Sequence, residues 1–116
     1  MCVDAERDVE RITELLSDEV VRTILEATFE EPLSAEQLCD RCEVSPATVY
    51  RRLQALDEFD PVDTRTEPDA DGHHYKVYSA KLDRVVVDLT ADGFDLRITR
   101  RQRMVDRFTE FVEGLN

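Results

Sequence analysis

Between Ser34 and Leu56 the chain carries two short helical patterns with only Glu43-Val44-Ser45 between them. Ser34 opens the segment AEQLCDRC, in which Ala35, Leu38, Cys39 and Cys42 recur at the spacing of one helix face. Ser45 opens the next, with Pro46 at the first helical position, where a missing N–H costs nothing. Val49, Leu53 and Leu56 form its apolar seam. Two short capped helices joined this closely make a connection of helix-turn-helix length, and the rest of the chain must fold around it.

The flanking segments are equally patterned. Ala5, Val9, Ile12 and Leu16 fall on one stripe of an amphipathic helix over residues 1–16. Ser17 reads as the cap of a second helix, with Asp18 and Glu19 in its first turn and Val20, Ile24, Ala27 and Thr28 on its inner stripe. Beyond residue 59, Val62 to Thr66 and Tyr75 to Ser79 read as strands joined by the acidic stretch EPDADGHH. A second hairpin alternates through Val85, Val87 and Leu89, turns at Asp92-Gly93, and returns through Phe94, Leu96 and Ile98. Thr99 and Gln102 read as the capping pair of a last helix, striped by Met104, Phe108, Phe111 and Leu115 with Val105 and Val112 beside them. The fold class expected is α+β, mainly α. Residues 1–116 form one domain: an N-terminal helix over 1–16, a tri-helical core with its hairpin over 17–79, a second hairpin over 82–99 and a C-terminal helix over 100–116.

Charge narrows the choice of partners. The chain has 27 acidic residues against 15 basic ones, a net charge of -12. A uniformly basic coat for nucleic acid or anionic membrane is therefore excluded, and any such partner must meet a local patch. Lysine occurs only at positions 76 and 81; the other basic residues are Arg. An acidic, lysine-poor surface stays hydrated when salt screens charge within roughly 3 Å at 1 M. It resembles proteins of salt-accumulating archaea, with an ordinary acidic protein as the alternative. No apolar run reaches the length of a membrane span and the N-terminus lacks a signal core, so a cytoplasmic protein is expected. Three cysteines, an odd number, argue against a disulfide framework.

The stretch LSAEQLCDRCEVSPATVYRRLQAL resembles the tri-helical DNA-reading core of archaeal and bacterial transcription regulators of the ArsR and MarR type. Leu38-Cys39, Val44-Ser45, Val49, Arg51, Leu53 and Leu56 carry the resemblance, which extends over residues 17 to 79. Glu43 stands where those proteins usually have Gly, and Asp60-Pro61 replaces a Gly-apolar pair. Asp tolerates the left-handed conformation better than most residues, so Asp60 can still close the helix. The resemblance implies a winged helix-turn-helix regulator of double-stranded DNA, with a recognition helix over 46–59 and a wing over 62–79.

The residue types agree with that reading. With Val49, Leu53 and Leu56 inward, Ala47, Thr48, Tyr50, Arg51, Arg52 and Gln54 project elsewhere. Ser45 and Thr48 can bond phosphates at the helix N-terminus. Arg51 or Arg52 can reach a guanine edge or a phosphate, and Tyr50 and Gln54 offer further contacts. Residues 1–43 hold four Arg against thirteen acids, whereas residues 44–56 hold Arg51 and Arg52 and no acid; Arg65, His74 and Lys76 add positive charge from the wing. The bland alternative for the Arg pair is a solvated helix face. Arg97, Arg100, Arg101, Arg103 and Arg107 form a second basic cluster, read as making subunit or intramolecular ion pairs rather than DNA contacts.

Cys39 and Cys42 read first as small core residues. The alternative is a thiol-dependent metal or redox sensor, with Cys2 as a third soft ligand. His73-His74 beside Asp69 and Asp71 reads as a loop tip rather than a metal site, because adjacent strand residues point to opposite faces. No phosphate loop, catalytic triad or metal-hydrolase motif is present, so neither enzyme activity nor a cofactor is expected. A homodimer is expected through Met104, Phe108, Phe111, Val112 and Leu115, with helix 1–16 and Arg100, Arg101 and Arg103 at the rim. The competing class is a winged-helix protein-interaction module, which the acidity favours.

Overall fold

A computed structural model describes residues 2–101. Four helices come first: α1 (Cys2–Ser17), α2 (Glu19–Glu30), α3 (Ala35–Cys42) and α4 (Pro46–Leu56), the last continued by a 3-10 turn at Asp57–Phe59. Five strands accompany them: β1 (Leu33–Ser34), β2 (Val62–Pro68), β3 (His74–Ala80), β4 (Leu82–Thr90) and β5 (Gly93–Arg100). Strands β1, β3 and β2 form one antiparallel sheet in that order, and β4 and β5 a separate hairpin.

The core sits between α2, α3, α4 and the middle strand β3. Val21, Ile24, Leu38, Val49, Leu53, Leu56 and Tyr78 meet there with Leu33 and Ala35. The α4 seam is the one its spacing predicts. On α2 the inner stripe is rotated: Val21 is fully buried, Val20 only half-buried, and Phe29 remains exposed. Thr28 is buried without an unmet hydroxyl, because its Oγ1 donates to the Ile24 carbonyl at 2.7 Å.

The cap of α2 is Asp18 rather than Ser17. Its carboxylate accepts the Val20 and Val21 amides at 2.8 and 3.2 Å, whereas Ser17 completes α1 and donates to the Glu14 carbonyl. A carboxylate is the stronger partner for helix N-terminal amides, since charge and macrodipole add. Ser34 caps α3 in a full capping box with Gln37.

Two non-glycine residues adopt left-handed backbone, Glu43 (φ 56°) and Asp60 (φ 52°). Glu43 ends α3, its N–H and that of Val44 both reaching the Cys39 carbonyl. Asp60 ends the 3-10 turn, as its residue type allows, and Pro61 after it is buried. The Pro61 carbonyl accepts the amides of Lys81 and Leu82, so the second hairpin springs from the junction where the first begins.

In that second hairpin Val85 pairs Ile98, Val87 pairs Leu96 and Leu89 pairs Phe94. The reversal falls on Ala91-Asp92, one residue earlier than the Asp-Gly signal suggests, because Thr90 must face Gly93 to keep Leu89 opposite Phe94. Thr90 Oγ1 donates to the Gly93 carbonyl at 2.8 Å and so fixes the turn. Thr99 and Arg100 belong to β5, with Arg100 opposite Leu82, so Thr99 is no helix cap and no helix begins at residue 100. Met104, Phe108, Phe111, Val112 and Leu115, like Arg103 and Arg107, lie outside the described residues.

Candidate nucleic-acid interface

Helix α4 presents a face because its opposite side is committed to the core. Val49, Leu53 and Leu56 are buried; Ala47, Tyr50, Arg51 and Gln54 are exposed. Its start is fixed by Ser45, whose Oγ accepts the Thr48 amide at 3.3 Å and lies 3.1 Å from the Thr48 hydroxyl. Arg51 donates to Thr48 Oγ1 at 3.4 Å, so Ser45, Thr48 and Arg51 form a polar ridge at the amino-terminal half of the helix. Hydroxyls and a guanidinium in one ridge suit phosphate and base-edge acceptors.

Arg52 does not share the freedom of Arg51. Its Nε donates to Asp18 Oδ2 at 2.8 Å, with both side chains about two-thirds buried. The carboxylate that caps α2 thereby also holds α4. Partial burial pushes the Asp18 carboxyl up, but the Val21 amide, the Arg52 charge and the Val20 amide outweigh it and hold the pKa below the ordinary value.

Between α4 and the first sheet runs an open groove of about 690 Å³, lined by Tyr50, the first residues of α3 and the end of the hairpin at His74, Tyr75 and Lys76. A smaller hollow of about 270 Å³ beside it adds Gln54 and Thr64. The structure thus brings together Tyr50, Gln54, His74 and Lys76. Arg65 is elsewhere: it alternates to the face opposite Thr64 and Thr66, and pairs Glu67 at 2.7 Å. The groove is mixed in charge, since Glu36 and Asp69 line it with Lys76. Tyr75, Glu36, Gln37, Asp57 and Thr64 are among the lining residues the sequence reading passed over. An exposed tyrosine in an otherwise polar run was the one local signal for Tyr75.

The hairpin tip is organised by Asp69, whose Oδ1 accepts the amides of Asp71 and His73 at 2.9 Å. Gly72 there has φ 83°, which the turn requires. Asp69, Asp71 and His73 bring their ligand atoms within 4.8 Å of one another, all exposed. His74, whose neighbour joins that group, starts β3 instead.

Cys39 and Cys42 are free thiols, half-buried against the core. Burial, and then Cys39 beside it, pushes the Cys42 thiol up, which disfavours the thiolate that metal binding and oxidation need. The side chain of Cys2 is outside the described residues. Among the described residues no helix is long and apolar enough to cross a membrane.

A short turn between two capped helices, with the second helix showing a polar ridge free of acids, forms a helix-turn-helix motif over α3 and α4. In agreement, residues 16–58 match the family of helix-turn-helix domains, a span that runs from the end of α1 through α4. A search of curated proteins gives no match. The domain suggests a DNA-binding regulator.

Proposed function

We propose that this chain is a sequence-specific transcription regulator of the ArsR and MarR type. Its recognition element, residues 46–59, enters the major groove, and the wing, residues 62–79, lies along the flanking DNA. The observation that carries the reading is the polar ridge of exposed Ser45 and Arg51 with half-buried Thr48 on a helix whose opposite face is locked into the core. Arg51 reads a base edge or phosphate; Ser45 and Thr48 hold a phosphate at the helix start; Tyr50, Ala47 and Gln54 meet bases or their methyl groups. His74 and Lys76 take the flanking backbone. Arg52, engaged by Asp18, positions the helix instead of contacting DNA.

The protein acts as a homodimer on paired half-sites, using the stripe Met104, Phe108, Phe111, Val112 and Leu115. It works in the salt-rich cytoplasm of an archaeon, where hydrogen bonds and shape supply affinity that counterion release does not. Selection of bound fragments from random DNA in molar KCl, followed by gel shifts with Arg51→Ala, tests this. Loss of specific binding by roughly 5- to 150-fold, about 1–3 kcal/mol, with an unchanged melting curve is expected. No enriched sequence at any salt concentration would leave the acidic protein-interaction module as the better reading.

A further inference from the structure

The second hairpin lies outside the span that matches the helix-turn-helix domains, and no residue from Leu82 to Arg100 is buried. One of its faces is apolar, built from the pairs Val85 with Ile98, Val87 with Leu96 and Leu89 with Phe94, yet it adds nothing to the core. A two-stranded hairpin is marginal on its own in water, but this one is held at its base. Arg101 donates to the Ala80 and Phe29 carbonyls, its guanidinium 3.8 Å from the Phe29 ring centroid. Arg100 donates to the Phe59 and Asp60 carbonyls. Both arginines, expected at a dimer rim, are engaged within the chain. Helix α1 packs along β5, with Glu6 against Gly93 near the tip, so α1 and the hairpin form one unit.

What this unit grips is the carboxy-terminal pole of the recognition element. From Leu53 to Asp60 the chain holds Asp57, Glu58 and Asp60 and no basic residue. Three carboxylates at the negative end of a helix dipole are unfavourable, and Asp60 adds the strain of left-handed backbone at φ 52°. The compensation comes from outside the matched residues 16–58. Arg11 of α1 pairs Glu58 at 3.0 Å; Lys81, in the link between the two hairpins, pairs Asp60 at 3.0 Å and Asp63 at 3.1 Å; Arg100 of β5 lies 3.9 Å from the Asp60 carboxylate. Arg100 also brings donors to carbonyls at a helix end, where acceptors are otherwise left without partners. The Arg11 pair is exposed and weakens as salt screens it. The Lys81 side chain is only 20% exposed and the Arg100 hydrogen bonds run to carbonyls, so these contacts persist at high salt.

We infer that α1 and the second hairpin brace the recognition helix, with Arg100 and Lys81 as positioning residues that hold its carboxy-terminal end through Asp60. The inference rests on the recognition reading above for its effect on DNA. Neither residue belongs to the ridge of Ser45, Thr48 and Arg51; both act at the other end of the element. Arg52 ties the middle of α4 to Asp18, and the brace fixes the end, so two separate points set the helix axis and with it the direction of the ridge. Releasing the second point lets the last turn fray and the axis tilt while the core stays formed.

Arg100→Met in the full chain is the test, measured on DNA fragments selected by the wild type and at a temperature where the melting curve shows the variant folded. Affinity is expected to fall about 10-fold, the factor that one charge-assisted hydrogen bond corresponds to, and amide exchange of residues 54–60 to quicken by about as much. Residues 21–28 of α2 should keep their wild-type protection. Faster exchange throughout α2 and α4 would mean global destabilisation, and unchanged exchange at 54–60 would mean that nothing was held; either overturns the inference. So does local loosening with undiminished affinity, which would leave Arg100 a purely structural residue. Lys81→Met removes the other cation at Asp60 and should loosen the same amides, which decides the matter if Arg100→Met does not fold. Arg51→Ala should lose DNA with wild-type exchange at 54–60, separating the ridge from the brace. If the wild type selects no DNA, the recognition reading fails and exchange at 54–60 alone upholds or overturns the brace.

Discussion

Consecutive residues on a helix point about 100° apart, and on α4 that rotation gives two adjacent arginines different partners. Arg51 faces outward beside Thr48; Arg52 turns back to Asp18. Arg52→Ala is therefore expected to cost about 1 kcal/mol of stability, since the pair is partly buried and hydrogen-bonded. Chemical denaturation measures it, and an unchanged midpoint would remove the structural role. The pair also has a pH signature. Asp18 has its pKa lowered in the folded state, so its contribution is present above the ordinary carboxylate value and is lost as pH falls through the folded one. The stability gap between wild type and Arg52→Ala should accordingly shrink below about pH 4. Lys81 behaves with the opposite sign. Its hydrogen bond to Asp60 raises its pKa, burial opposes this, and Asp63 adds to the rise, so its contribution fades only as pH climbs past about 10. Both arginines were legible in the sequence as polar helix residues. Their separate roles were not, because the partner of Arg52 lies 34 residues away on another helix.

At the scale of elements, local chemistry predicted most of what formed. The Ser34 and Ser45 caps, Pro46 at the helix start and the Val49-Leu53-Leu56 seam act within one or two turns, and all appear where the pattern puts them. The turn between α3 and α4 keeps its geometry without glycine, at the cost of Glu43 in left-handed backbone. Glu43→Gly should stabilise the protein by about 1 kcal/mol, the rough penalty of that conformation for a residue with a Cβ. A rise in melting temperature measures it; a fall would mean that the entropy of an unfolded glycine outweighs the relief. The errors fell where an element's limits depend on competition. Asp18 displaced Ser17 as cap, and pairing with Leu82 kept Arg100 in a strand.

The molecule as a whole carries its charge unevenly, with acids concentrated outside residues 44–56. Self-repulsion of that size favours expansion when it is unscreened. The melting temperature is expected to rise steadily as KCl is taken from low concentration to molar, beyond the point where simple screening of exposed pairs is complete. Full stability in dilute buffer would instead mark an ordinary acidic protein. The same imbalance makes the uncharged hairpin face distinctive, since it is an apolar surface on a molecule otherwise dominated by carboxylates.

Periodicity and caps, which depend on residues a few positions apart, were enough to determine the four helices, both hairpins and the outward side of α4. Interactions across long stretches of chain lay beyond them. Only the tertiary structure could engage Arg52 with Asp18, turn Arg65 away from Lys76, and bring Tyr50 to one groove with His74 and Lys76, with Gln54 in the hollow beside it. It also anchored Arg100 and Arg101 to carbonyls 21 to 72 residues distant. The reason is the same in each case: a helix or strand period says which way a side chain leaves its own backbone, whereas its partner depends on how separate elements pack.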